Sequence, residues 1–156
     1  MKLIDNDLCD ICSNEIEDIM HLFVKCTELY SFHMYVSKQV EELLIENCDS
    51  DQKNYIVYEE IFILGLNRTI KGVNVNFINF MLSVARYCVF RRRNLVKNNM
   101  NSIDIIRLFK YTLKHYVVYF YEYLCQMRKM RSIFDRHFLQ NNTIVQETNN
   151  VILFNL

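Results

Sequence analysis

A chain of 156 residues that is 51% hydrophobic, with no proline and two glycines, can fill one packed core. It lacks the turn-formers of β-sandwiches and of glycine-dependent phosphate loops. Its zero net charge hides a division: residues 1–60 carry four Lys/Arg against fourteen Asp/Glu, and residues 61–156 carry fourteen against four, a polarity that fits either two complementary layers or a basic surface for a polyanion. The longest mostly apolar stretch, Phe77 to Phe90, is interrupted by Asn79, Ser83 and Arg86 and falls short of the roughly 20 residues a bilayer requires. The start, Met1 to Asp7, lacks the apolar core of a signal peptide, so an intracellular chain with reduced thiols and no membrane partner is expected.

The first element is a cysteine-rich knuckle. Cys9 and Cys12 are followed by His21 and Cys26, four soft or borderline ligands in one short segment. Thiolates and an imidazole at this spacing suit tetrahedral zinc. A C-x-x-C pair alone also fits redox chemistry, but a thioredoxin-type motif does not carry the additional His and Cys. Four protein ligands leave no position for a catalytic water, so the expected cofactor is one structural Zn2+. Asn14 or Asp18 is placed to cap a helix starting near Glu17, on which Ile19, Leu22 and Phe23 share a face. His21 and Cys26 lie five residues apart, about 140° out of line on an ideal α-helix. If both hold one ion, the helix must end or tighten near Cys26.

Thr27 is placed to cap an amphipathic helix through about Glu46, with Leu29, Phe32, His33, Val36, Val40, Leu43 and Leu44 as its apolar stripe. Residues 47–54 are polar and unpatterned, a linker. Tyr55–Leu66 fits a short strand or a short helix, and a helical turn is the preferred reading. Gly65 and Gly72 bracket a loop. Val75 to about Lys97 then reads as a long, central helix with Phe77, Phe80, Met81, Val84, Tyr87 and Cys88 on its apolar face. Ser102 as N-cap, with Asp104 in the first turn, opens a helix to about Phe138. Its inward positions are Ile106, Phe109, Leu113, Tyr116, Val117, Phe120, Leu124 and Met127. A short connection between two long helices implies an antiparallel hairpin. From about Gln140 a tail docks or frays. The expected fold is mainly α, a small zinc knuckle followed by a helical bundle with a long antiparallel helix hairpin. Residues 1–46 form the knuckle and first helix, 47–54 the linker, 55–139 the helical region and 140–156 the tail of one compact domain.

Arg91, Arg92, Arg93 and Lys97 close the first long helix, and Arg107, Lys110 and Lys114 form an i, i+3, i+7 stripe near the start of the next. An antiparallel hairpin gathers these seven cations at one end, where RNA or DNA is the matching ligand. The same residues also suit a helix dipole and a solvated face. Arg128, Lys129 and Arg131, near Tyr121 and Tyr123, make a smaller basic cluster. Cys88 and Cys125 read as buried small hydrophobes, Cys48 as a loop thiol and His33 as a core-facing or partly exposed histidine. No nucleophile elbow, phosphate loop or Tyr-x-Asp-Asp motif occurs, so neither enzyme activity nor a small-molecule substrate is expected.

The run from Cys9 to Cys26, with Glu17 and His21-Leu22-Phe23 between the ligands, resembles the zinc-binding segment after the polymerase in reverse transcriptases of non-LTR retrotransposons of the long interspersed element type. Ile61-Phe62-Ile63-Leu64-Gly65-Leu66 and the stretch Leu82 to Arg91 are similar to the apolar-glycine segment and the alanine-basic-aromatic helix that follow in many such elements. The resemblance covers roughly residues 8–136, with Thr27 where the family often has proline. It implies a noncatalytic role, holding template RNA or target DNA beside a polymerase domain. With no polymerase or endonuclease ahead of Met1, a detached terminal region, a truncated copy or a domesticated remnant is expected. The alternative from a different class is a protein-docking module in which the acidic and basic halves satisfy one another.

Overall fold

A computed structural model describes residues 8–45, 58–67, 69–100 and 103–156. The expected linker 47–54, with Cys48, and the expected cap Ser102 lie outside these residues, as do Tyr55, Ile56 and Val57. After the knuckle come α1 (Tyr30–Ile45), α2 (Tyr58–Leu64), α3 (Val75–Lys97), α4 (Ile105–Tyr121), α5 (Arg131–Phe134) and a terminal hairpin of β1 (Val145–Thr148) and β2 (Val151–Phe154). The chain is mainly α, and α3 and α4 form the long antiparallel hairpin. None of the described helices is long and apolar enough to cross a membrane.

The middle of the molecule is α3, which buries Phe77, Ile78, Met81, Leu82, Val84, Ala85, Cys88 and Val89. Asn74 fixes its start: the side-chain oxygen accepts from Phe77 N–H at 3.0 Å, while Nδ2 donates to the Gln140 carbonyl at 2.7 Å and so ties this end to the distant chain. Its other end closes on Asn99 in the left-handed region (φ 53°), with Met100 N–H on the Leu95 carbonyl and Asn99 N–H on the Val96 carbonyl, a Schellman ending that turns the chain back. Facing it, α4 is capped by Asp104 itself, whose Oδ1 accepts from Arg107 N–H at 2.9 Å. This corrects the expectation that Asp104 lies within the first turn.

Helix α1 packs Phe32 edge-on against Phe109 of α4, at 5.8 Å between centroids, and His33 edge-on against Phe62 of α2, at 4.9 Å. Of the two readings of His33 the core-facing one holds: it is buried, and burial holds its pKa down at about 4, so it packs as a neutral ring. The end of α2 and the start of α3 lock together here. Asn79 of α3 exchanges two hydrogen bonds with the Leu66 backbone, at 2.7 and 2.9 Å, and Arg86 donates to the Phe62 carbonyl at the end of α2. A Cβ on Gly65 (φ 77°) would stand 2.9 Å from Asn79 Oδ1, so glycine serves both the turn and the close approach.

Several expectations are corrected. The last long helix does not reach Phe138: it widens into π geometry over Glu122–Met127 and stops where Lys129 takes a left-handed conformation (φ 55°). The reversal returns Phe134 and Phe138 to the core, where Phe138 stacks on Phe134 at 4.9 Å and meets Phe80 at 5.3 Å, burial a straight helix would forfeit. Tyr87, Tyr116 and Met127, assigned inward by periodicity, are exposed, and Cys125 is half-buried whereas Cys88 is buried. The tail is a β-hairpin. Its two-residue turn, Asn149-Asn150, has both φ positive, the conformation that matches strand twist and that asparagine tolerates.

Candidate functional site

The knuckle is a short loop closed on itself. Cys9 N–H donates to the Glu15 carbonyl and Ser13 N–H to the Cys9 carbonyl, both at 2.8 Å, while Leu8 and Ile16 form an antiparallel bridge. Asp18 then caps the next turn, its Oδ1 accepting from His21 N–H at 2.6 Å. The turn that follows, His21–Lys25, is π-helical, with Cys26 N–H on the His21 carbonyl at 2.8 Å. The spacing problem is thereby solved by widening, not tightening: a bond from residue 26 to residue 21 stacks the two ligands one turn apart. The helix ends at Cys26, which turns extended. The wider turn also leaves Ile19 exposed, so it does not share the buried side of Leu22. Thr27 is the first residue of a 3-10 turn, Thr27–Leu29, with no side-chain cap, and α1 begins after it at Tyr30.

The result brings together all four predicted ligands. The Cys9, Cys12 and Cys26 sulfurs and a His21 nitrogen lie within 4.8 Å of one another, close enough to hold one metal ion. Cys9 Sγ stands 4.0 Å from Cys26 Sγ, and Cys12 Sγ 3.3 Å from His21 Nε2. A tetrahedron with metal–sulfur bonds of about 2.3 Å and metal–nitrogen bonds of about 2.0–2.1 Å requires separations of about 3.8 and about 3.6 Å, so these two pairs fit within a few tenths of an ångström and every other pair within about 1 Å. Burial raises the Cys9 pKa and pushes Cys26 up to about 12. Burial also acts to raise Cys12, but the Asn14 and Glu15 N–H groups and His21 outweigh it and bring that thiol down to about 7.

Two carboxylates that motif spacing did not single out complete the centre. His21 Nδ1 lies 3.1 Å from Glu15 Oε2 and Nε2 faces Cys12, the arrangement by which carboxylates orient metal-bound histidines. Glu17 accepts Arg93 Nε at 2.7 Å, and the same guanidinium reaches Asp10 at 3.0 Å. Burial acts to raise the Glu17 pKa, but Arg93 and the Asp10 N–H hold it below the usual carboxylate range. The acidic knuckle is therefore clamped to α3. Comparison with protein-family models, with curated proteins and with solved structures returned no match.

The seven predicted cations do not form one patch. Arg93 is taken up by the knuckle. Lys110 donates to the Leu156 carbonyl at 3.1 Å and lies over the Tyr35 ring, and Lys114 lies over Phe154 at 5.6 Å, so both serve the terminal hairpin. Arg91 and Arg107 do converge, on the two walls of an open groove of about 660 Å³ between α3 and α4. Lys97 is exposed near that end, and Arg92 is half-buried beside a smaller groove that Glu28 and Asp104 also line. In the smaller basic cluster, Arg131 pairs with Asp135 and Glu147, and Arg128 covers Tyr123. Sequence spacing placed the cations on the right helices, but acids and backbone carbonyls distant in sequence decided which of them stay free.

Proposed function

We propose that this chain is a noncatalytic nucleic-acid-binding module in which Cys9, Cys12, His21 and Cys26 hold one structural zinc ion. The carrying observation is the charge of the hairpin: residues 75–97 and 105–121 contain no carboxylate, and Arg91 and Arg107 face one open groove from its two sides. Asp104, at the groove's edge, is held on the α4 cap, and a surface in which cations outnumber acids attracts a polyphosphate and releases its counterions. Three sulfurs and one imidazole favour zinc over harder cations, and four filled positions suit a staple better than hydrolysis. When bound, the ion supplies folding energy. Glu15 orients His21, and Arg93 ties the acidic knuckle to α3. The resemblance to the segment after the polymerase of non-LTR retrotransposon reverse transcriptases supports the same reading, with RNA or target DNA as ligand.

The test is binding of a labelled oligonucleotide across a salt series. With Arg91, Lys97, Arg107 and one further cation engaged, about four phosphates are neutralised, and log K should fall with log[salt] at a slope of about −3 on a single strand. Arg91→Ala with Arg107→Ala should flatten that slope by about 1.4. Affinity that ignores salt would remove the reading. A second reading, docking on a partner protein, is favoured by the exposed Ile16, Ile19 and Leu64 on and beside the knuckle. Salt-insensitive capture of a polymerase domain, lost on Ile19→Asp, would support it.

A further inference from the structure

The groove carries more than charge. Tyr87 of α3 and Tyr111, His115 and Tyr116 of α4 line it beside Arg91 and Arg107, and Tyr111 is 70% exposed although aromatic side chains favour burial. The Tyr111 and His115 rings are parallel within 7°, their centroids 6.2 Å apart. One turn on, Tyr119 and Tyr123 repeat the arrangement, parallel within 5° at 6.2 Å, and Arg128 lies over Tyr123 with its carbon 5.3 Å from the ring centre. Residues 111, 115, 119 and 123 recur every four positions, so the rings climb one side of the helix. A cation stands at each end: Arg107 one turn before Tyr111, and Arg128 just after Tyr123. Asp104 spends its carboxylate on the α4 cap, and Glu122 stands beyond the groove, near the Tyr123 end.

Given the nucleic-acid reading above, on which this rests, we infer that the groove and the ring ladder of α4 bind a single strand in preference to a duplex. A duplex hides the faces of its bases and offers mainly phosphates to such a surface. An unpaired strand offers both, so its bases can lie on Tyr111, His115 and Tyr116 while its phosphates meet Arg91 and Arg107. Because every base has a π-face, and stacking on a ring reads no base edge, the binding tolerates sequence. A groove of about 660 Å³ is in the size range of small-ligand pockets, enough for a nucleotide or two at its deepest part.

The experiment compares fluorescence anisotropy of a labelled 12-nucleotide oligouridine and of a 12-base-pair duplex with the full chain, its Tyr111→Ala/Tyr116→Ala variant and its Tyr111→Phe/Tyr116→Phe variant, all at one salt concentration. The single strand should bind more tightly than the duplex. The Ala pair should weaken single-strand binding by about tenfold or more, and the Phe pair should restore it, since stacking needs the ring and not the hydroxyl. Both tyrosines are exposed, and circular dichroism of each variant reports the retained helices. Equal or tighter binding of the duplex, or an Ala pair that binds the single strand like the parent, overturns the single-strand inference and leaves the nucleic-acid reading standing. Binding of neither oligonucleotide overturns both.

Discussion

Between residues 8 and 26 the knuckle buries only Cys9, His21, Leu22 and Cys26, whereas α3 alone buries eight side chains and meets Phe138 returning from the chain's far end. Area decides the difference. At about 25 cal/mol per Å² of apolar surface, the body holds itself by burial. The knuckle has too little such surface, and its geometry comes from ligand atoms, a cap and one arginine. The two regions should therefore fail separately and for different reasons.

The largest effect should follow loss of the metal. Cys12→Ser, or chelation of the parent, removes a contribution of about 10 kcal/mol to the knuckle. Amide exchange should show residues 8–26 opening while α3 and α4 stay protected, and elemental analysis should show less metal in the variant than in the parent. Fully folded, metal-free parent protein would break the contrast. Next in size, Phe134→Ala leaves a void where two phenylalanine rings stack and should cost about 3–5 kcal/mol in urea unfolding. It should leave the metal content unchanged.

The smallest effect probes the join. Arg93→Ala leaves Glu17 and Asp10 without their partner and should cost about 1–3 kcal/mol at pH 7. Because the folded Glu17 pKa lies below its ordinary value, this contribution is present above the ordinary carboxylate pKa and is lost as pH falls through the lower folded value. Parent and variant should thus converge in stability at strongly acidic pH, and a difference that persists there would place the effect elsewhere.

What the sequence made readable is what local spacing determines. The four ligands, the extent of α3 and the helical character of α1 follow from periodicity, caps and chemistry within a few turns, whereas the start of α1 at Tyr30 and the choice of helix over strand at Tyr58–Leu64 do not. The end of the last long helix did not, because Lys129 carries no glycine signal and the gain from reversing lies with Phe77 and Phe80, far back in the chain. Likewise Arg91, Arg92 and Arg93 look alike in a row, and only the folded arrangement separates the one that reaches Glu17. The outward tyrosines were hidden for a related reason: Tyr111, Tyr116 and Tyr119 satisfy an apolar pattern whether they face core or solvent.

The clamp has a consequence for the order of assembly. Cys9 and Cys26 are separated by 17 positions, Glu17 and Arg93 by 76. In a flexible chain, closing the longer loop costs about 1.3 kcal/mol more entropy than closing the shorter one. The ligand loop is therefore expected to gather its ion early in folding, as a small finished piece, and the guanidinium to seat that piece on α3 once the hairpin has formed.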